Sequence, residues 1–129
     1  MSSHPSAGLI LFAHGARDPR WALPFEAVAQ QIRTARPDVP VQLAYLEFMS
    51  PGLVDAAAHL VQQGCQSLQV LPMFLGAGGH VRKDLPLLLD NIRLAHPAVQ
   101  VTLATTIGEV ESVTRAMAAA ALDLIGPAA

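Results

Sequence analysis

Residues 9–19 read Leu-Ile-Leu-Phe-Ala-His-Gly-Ala-Arg-Asp-Pro, an apolar run that stops abruptly at His14-Gly15 before a charged pair and a proline. A buried strand that delivers a histidine to the open carboxyl edge of a parallel sheet has this form, and ligands of open α/β sheets bind at that edge. A second histidine, His80, sits in the glycine-rich stretch 76–80, beyond another apolar strand. Two imidazoles brought to one edge suit a metal site or a proton-transfer site.

Working outward, four apolar strand patterns at 8–13, 41–46, 68–73 and 99–104 alternate with four helical patterns. The first helix is expected over 20–35, with Phe25, Val28, Ala29 and Ile32 on one face. The second follows Ser50-Pro51, read as an N-cap and a proline at the first helical position, buries Leu53, Ala57, Leu60 and Val61, and stops at Gly64. The third begins between 81 and 86 and ends near 95. The fourth spans 109–125 with Val110, Val113, Met117, Ala120 and Leu124 in register, and Gly126-Pro127 ends it. Strict alternation predicts an α/β protein, a three-layer α/β/α domain around a four-stranded parallel sheet. Right-handed crossovers favour the flavodoxin-like strand order 2-1-3-4. One domain is expected over residues 1–129, with 1–7 as a flexible tail.

In that order the winding direction switches between strands 1 and 3. Glu47 ends strand 2, on the other flank of strand 1. Neighbouring strands lie about 4.8 Å apart, so His14, Glu47 and His80 are predicted to reach one crevice. Gly76, Gly78 and Gly79 are expected to permit positive φ angles and close approach of backbone to a ligand.

Composition narrows the function classes. The chain has 129 residues, 52% hydrophobic and 14% charged, which excludes a disordered protein. The formal net charge of −2 offers no basic field for nucleic acid. No apolar run reaches the roughly 18 residues of a membrane span, and the first residues lack a signal-peptide pattern, so a cytoplasmic protein is expected. The one cysteine, Cys65, precludes an intramolecular disulfide and reads as a small buried hydrophobe. Arg17, Arg82 and Lys83 flank the two histidines and form a local counter-charge for an anionic substrate. Asp18 and Asp84 read as helix caps, and Tyr45, Phe48 and Phe74 as core.

Three segments carry a resemblance: Leu11-Phe-Ala-His-Gly-Ala-Arg-Asp-Pro19, Ala44-Tyr-Leu-Glu-Phe-Met-Ser-Pro51 and Leu71-Pro-Met-Phe-Leu-Gly-Ala-Gly-Gly-His-Val-Arg-Lys-Asp-Leu-Pro86. In their order and spacing the chain resembles the small sirohydrochlorin chelatases, the CbiX/SirB type of class II chelatase. The resemblance implies a chelatase fold and ATP-independent insertion of a divalent metal into sirohydrochlorin, for cobalamin or siroheme-type cofactors. Cobalt is the first expectation for the metal, with iron or nickel as alternatives, and no nucleotide is expected. It maps the family histidines onto His14 and His80, as metal ligands or proton acceptors, and the family glutamate onto Glu47. Ala16 departs from the serine often found there. Members of this length resemble half of the longer, internally duplicated chelatases, which implies a homodimer.

Neutral imidazole is a good ligand for cobalt, iron and nickel, and a site with two or three protein ligands leaves positions open for ring nitrogens. Glu47 suits accepting pyrrole protons, completing the metal site or orienting a histidine. Arg17, Arg82 and Lys83 would hold the substrate's carboxylates, and the three glycines would lie against the flat ring. Two other readings stay open: a phosphohistidine carrier domain of the phosphotransferase type, and a metal- or tetrapyrrole-binding protein without turnover.

Overall fold

Alternate residues of the first strand, β1 (Ser6–Ala13), serve two separate cores. Ile10 and Phe12 point into one, where Leu53, Ala56, Ala57 and Leu60 meet Leu85, Leu89 and Ile92. Leu11 and Leu9 point into the other, against Ala29 and Ile32. This is the period-2 consequence of a strand covered on both faces. Ile10, Leu11 and Phe12 are fully or almost fully buried, and each contributes about 1.5–3 kcal/mol by burial. The computed structural model describes residues 6–76 and 78–128, without the side chains of Ser6 and His80.

The elements follow in alternation: a short 3-10 helix (Pro19–Ala22), α1 (Leu23–Ala35), β2 (Val41–Tyr45), α2 (Leu53–Gln62), β3 (Cys65–Pro72), α3 (Gly79–Ala95), β4 (Gln100–Leu103), a second 3-10 helix (Ile107–Glu109) and α4 (Glu111–Ile125). The sheet is parallel with order β2-β1-β3-β4, as the alternation predicts. Leu11 pairs with Leu43 on one side and Leu71 on the other, at the centre of the sheet. Helices α2 and α3 cover one face and α1 the other. At Gly8 a Cβ would stand 3.0 Å from Cys65 Sγ and from Leu68, so the glycine lets α2 and β3 close on β1.

Several boundaries differ from the sequence expectations. Ser6 and Ala7 belong to β1 and not to the tail expected over 1–7; residues 1–5 lie outside the described ones. Asp18 caps the 3-10 helix, accepting from Arg20 N at 2.9 Å, and α1 itself begins only at Leu23. Ser50 is not the cap of α2: the Ser50-Pro51 bond is cis, and Gly52 holds the cap position with extended backbone. Helix α3 starts at Gly79, earlier than expected, so Asp84 is interior and not a cap. The expected buried face of α4 is absent from the chain's own core. Val110 and Val113 are half-buried, while Met117, Ala120 and Leu124 are exposed.

Candidate metal centre at the carboxyl edge

The β1–β2 ladder runs past the strand ends, and that extension builds the centre. Leu46 N donates to Ala13 O at 3.0 Å and Glu47 N donates to His14 O at 3.1 Å. The backbone thus sets Glu47 beside His14, and their side chains meet with His14 Nε2 2.9 Å from Glu47 Oε1. Both side chains are about half exposed, 48% and 49%, so the pair is formed yet open to a ligand. Gly15 makes this approach possible. Its φ is +94°, and a Cβ there would collide with the Glu47 carbonyl oxygen. Phe48, the next residue after Glu47, also takes a left-handed φ of 67°.

Aromatic rings flank the pair. On one side the Phe74 ring stands edge-on to His14 with centroids 6.5 Å apart, and is itself packed edge-on against Phe12 at 6.0 Å. Phe74 is 8% exposed and Tyr45 6%, so both are core as expected. Burial, with the Glu26 carboxylate second, pushes the Tyr45 hydroxyl above the usual phenol range and keeps it neutral. Phe48 corrects its expectation: it is 56% exposed, not core, and the Arg17 guanidinium lies 4.7 Å from its ring centroid. That cation–π contact holds Arg17 next to the Glu47 turn.

Beyond β3 the edge is built differently. Met73 N donates to Phe12 O at 2.7 Å, and the chain then leaves the sheet for the glycine stretch. Gly76, Gly78 and Gly79 face open space, and none uses the positive φ that a glycine permits. The left-handed glycine of this edge is Gly15 instead. Gly78 precedes α3 as its N-cap, and no side chain caps the helix. His80 lies in the first turn of α3, and its side chain, expected to converge with His14, lies outside the described residues. Arg82 and Lys83 follow on the same helix, both exposed, and Arg82 Nη2 lies 3.7 Å from Glu109 Oε1. A cavity of about 340 Å³ opens here, lined by Phe74, Val81, Arg82, Leu85, Thr105 and Glu109.

Two residues of this edge escape sequence reasoning. Gly108 packs its backbone against Leu75, where a Cβ would collide with the Leu75 backbone, and its N–H donates to Phe74 O at 2.9 Å. Glu109 faces Arg82 from the same 3-10 helix. The one available signal is an isolated glycine between the last strand and the last helix. Among the described residues no three His, Cys, Asp or Glu side chains form a group fit to hold a metal by themselves. The feature that stands out at this edge is the half-exposed His14–Glu47 pair.

Comparison with known proteins agrees with this architecture. The model of the CbiX family matches residues 8–124. The sirohydrochlorin cobaltochelatase of Saccharolobus solfataricus is 30% identical over 107 residues, 78% of this chain and 82% of that protein. The crystal structure of the CbiX protein from Marinobacter aquaeolei VT8 superposes with a TM-score of 0.82 at 30% identity, over 92% of this chain and 97% of that one. SirB from Bacillus subtilis, solved with Fe3+, shares the fold with a TM-score of 0.78 at 24% identity; the match covers 95% of this chain and 48% of SirB. A phosphoryl-carrier assignment has no support from these matches. With three-layer topology, a histidine–glutamate pair at the carboxyl edge and a family match across nearly its whole length, the chain belongs to the CbiX family.

Proposed function

We propose that this protein is a sirohydrochlorin chelatase, a lyase-type enzyme that inserts a divalent metal into sirohydrochlorin without nucleotide hydrolysis, for cobalamin or siroheme-type biosynthesis. The carrying observation is the half-exposed His14–Glu47 pair at 2.9 Å, set by backbone at the open end of a parallel sheet. The substrate metal is cobalt, with ferrous iron or nickel as the alternatives. The named relatives support this reading, one of them a sirohydrochlorin cobaltochelatase.

Insertion needs an ion held loosely enough to be released, a base for two pyrrole protons and a ring held at a fixed attitude. In this reading His14 and His80 ligate the ion through neutral imidazole, and few ligands leave positions for incoming ring nitrogens. Glu47 first fixes the tautomer and orientation of His14, then accepts the two pyrrole protons one after the other as the ring nitrogens take the metal, passing each to solvent through its half-exposed carboxylate. Anionic ring substituents meet Arg82, Lys83 and the uncapped N–H groups at the start of α3, where cations and the helix dipole both favour negative charge. Arg17 contributes from the opposite flank, and Gly76, Gly78 and Gly79 leave space for a flat macrocycle. The working form is a cytoplasmic homodimer.

The test is an absorbance assay with sirohydrochlorin and Co2+, Fe2+ or Ni2+ supplied separately. Repeated turnover per chain with at least one metal is expected, and loss of it in the His14→Ala, His80→Ala double variant. Binding of metal or tetrapyrrole with no more insertion than the uncatalysed rate would leave a binding protein and overturn the assignment.

A further inference from the structure

We infer that Glu109 limits how tightly the tetrapyrrole is held: it keeps Arg82 in an open ion pair at the 340 Å³ cavity, and a carboxylate arm of the ring enters by taking its place on the guanidinium. This rests on the proposed chelatase reading and adds to it a residue that keeps ring binding reversible. Three observations carry it.

The first is the cavity itself. At about 340 Å³ it lies at the lower end of small-molecule pockets, too small for a macrocycle and ample for one peripheral arm. Phe74, Val81 and Leu85 give it an apolar wall, and Phe74 and Leu85 belong to the core. Thr105, Arg82 and Glu109 supply its polar groups, and among the described residues Glu109 is the one acid lining it. A short methylene stem with a carboxylate tip matches this lining. The stem lies on the apolar wall, and the planar guanidinium can take the tip with two parallel hydrogen bonds.

The second is the form of the ion pair. Arg20, Arg36, Arg93 and Arg115 each hydrogen-bond a carboxylate no more than four residues away, at 2.8–3.2 Å. Arg82 instead meets a residue of another element, and its Nη2 stops 3.7 Å from Glu109 Oε1, beyond hydrogen-bond length. The two side chains are 66% and 54% exposed, so an incoming carboxylate can reach the guanidinium. Backbone brings them together. Gly108 N donates to Phe74 O and Glu109 N to Thr106 O, each at 2.9 Å, and a Cβ on Gly108 would collide with the Leu75 backbone. Arg82 N donates to Gly78 O at 3.1 Å, in the opening turn of α3. That end of a helix is already positive, so cation and dipole both draw a carboxylate there.

The third is the chemistry of insertion. The reaction exchanges two pyrrole protons for a divalent cation at the ring centre and leaves the peripheral carboxylates unchanged. A cation that grips those carboxylates therefore holds substrate and product alike, which raises no transition state and slows product release. Glu109 competes with the arm in both complexes. Arrival and departure of the ring then exchange one carboxylate for another on Arg82, and an exposed ion pair is weak enough to make that exchange easy.

The test titrates metal-free sirohydrochlorin and, separately, cobalt-sirohydrochlorin into full-length wild type, Glu109→Gln, Arg82→Ala and the double variant, with Kd read from the tetrapyrrole absorbance. Glu109→Gln is expected to lower both Kd values by about threefold to fivefold, the contribution of an exposed ion pair. In the Arg82→Ala background the same substitution is expected to change Kd by less than about 1.5-fold, because the partner it frees is gone. Equal tightening with and without Arg82 would reduce Glu109 to plain repulsion of the ring and overturn the inference. Unchanged or weaker binding by Glu109→Gln would overturn it too. The titrations need no turnover. Wild type that inserts metal while Glu109→Gln binds no tighter sinks this inference alone, and wild type that binds no tetrapyrrole removes the chelatase reading with it.

Discussion

The two flanks of the carboxyl edge are built on opposite plans. Between β1 and β2 the backbone leaves no slack: paired strands, a left-handed Gly15 in contact with the Glu47 carbonyl and a left-handed Phe48 set two side chains 2.9 Å apart. Between β3 and α3 there is room: three glycines facing open space, a helix start with no side-chain cap, exposed cations and a 340 Å³ cavity. Reactive groups need fixed relative positions, while a large anionic ring needs space and positive charge. In the proposed reaction the first flank fixes His14 and Glu47, while the second, where α3 also carries His80, gives the ring space and positive charge.

Substitutions can break that contrast, and the largest effect is expected from the two histidines, one on each flank. Replacing both His14 and His80 by alanine should abolish metal insertion, with far-UV circular dichroism unchanged; retained insertion would detach the chemistry from these residues. Gly15→Ala forces a side chain into the Glu47 carbonyl at a backbone conformation that costs an L-residue roughly 1–2 kcal/mol even in open space. Insertion should fall by about two orders of magnitude or more, the loss expected for misplaced reacting groups. Gly78→Ala is its counterpart on the open flank, with extended backbone and nothing within 4 Å, and should cost less than about threefold. Equal losses in the two variants would erase the distinction.

Smaller effects sharpen it. Glu47→Gln keeps the shape and removes the charge, and should lower the insertion rate by about 10–100-fold, as removal of a ligand's orienting partner does. Arg82→Ala should raise KM several-fold and leave kcat nearly unchanged, because an exposed cation contributes only about 1 kcal/mol or less to holding an anion.

Much of this is legible in the sequence alone. Apolar runs alternating with helical periodicities lead directly to the parallel sheet and its order, since handedness leaves few alternatives. The neighbourhood of His14 and Glu47 follows from adjacent strands ending at the same edge. Local backbone detail was not legible. Ser50-Pro51 carries a strong cap signal, yet the helix starts after Gly52, because the chain must first bring Pro51 O to Tyr45 N at 2.9 Å. Phe48 reads as core by residue type, and only its left-handed backbone turns it outward to Arg17. The apolar stripe of α4 is visible in sequence, yet the helix leaves it exposed, because periodicity marks an apolar face and not where the chain carries the helix. Gly108 matters through a contact with Leu75, 33 residues away in sequence and silent in any local pattern.

The central claim, that the fixed histidine–glutamate pair drives metal insertion, is tested most directly by following cobalt insertion into sirohydrochlorin by absorbance with wild type and His14→Ala in parallel. Many turnovers per wild-type chain are expected, and in the variant a rate no higher than without protein. Equal rates for the two would contradict the account.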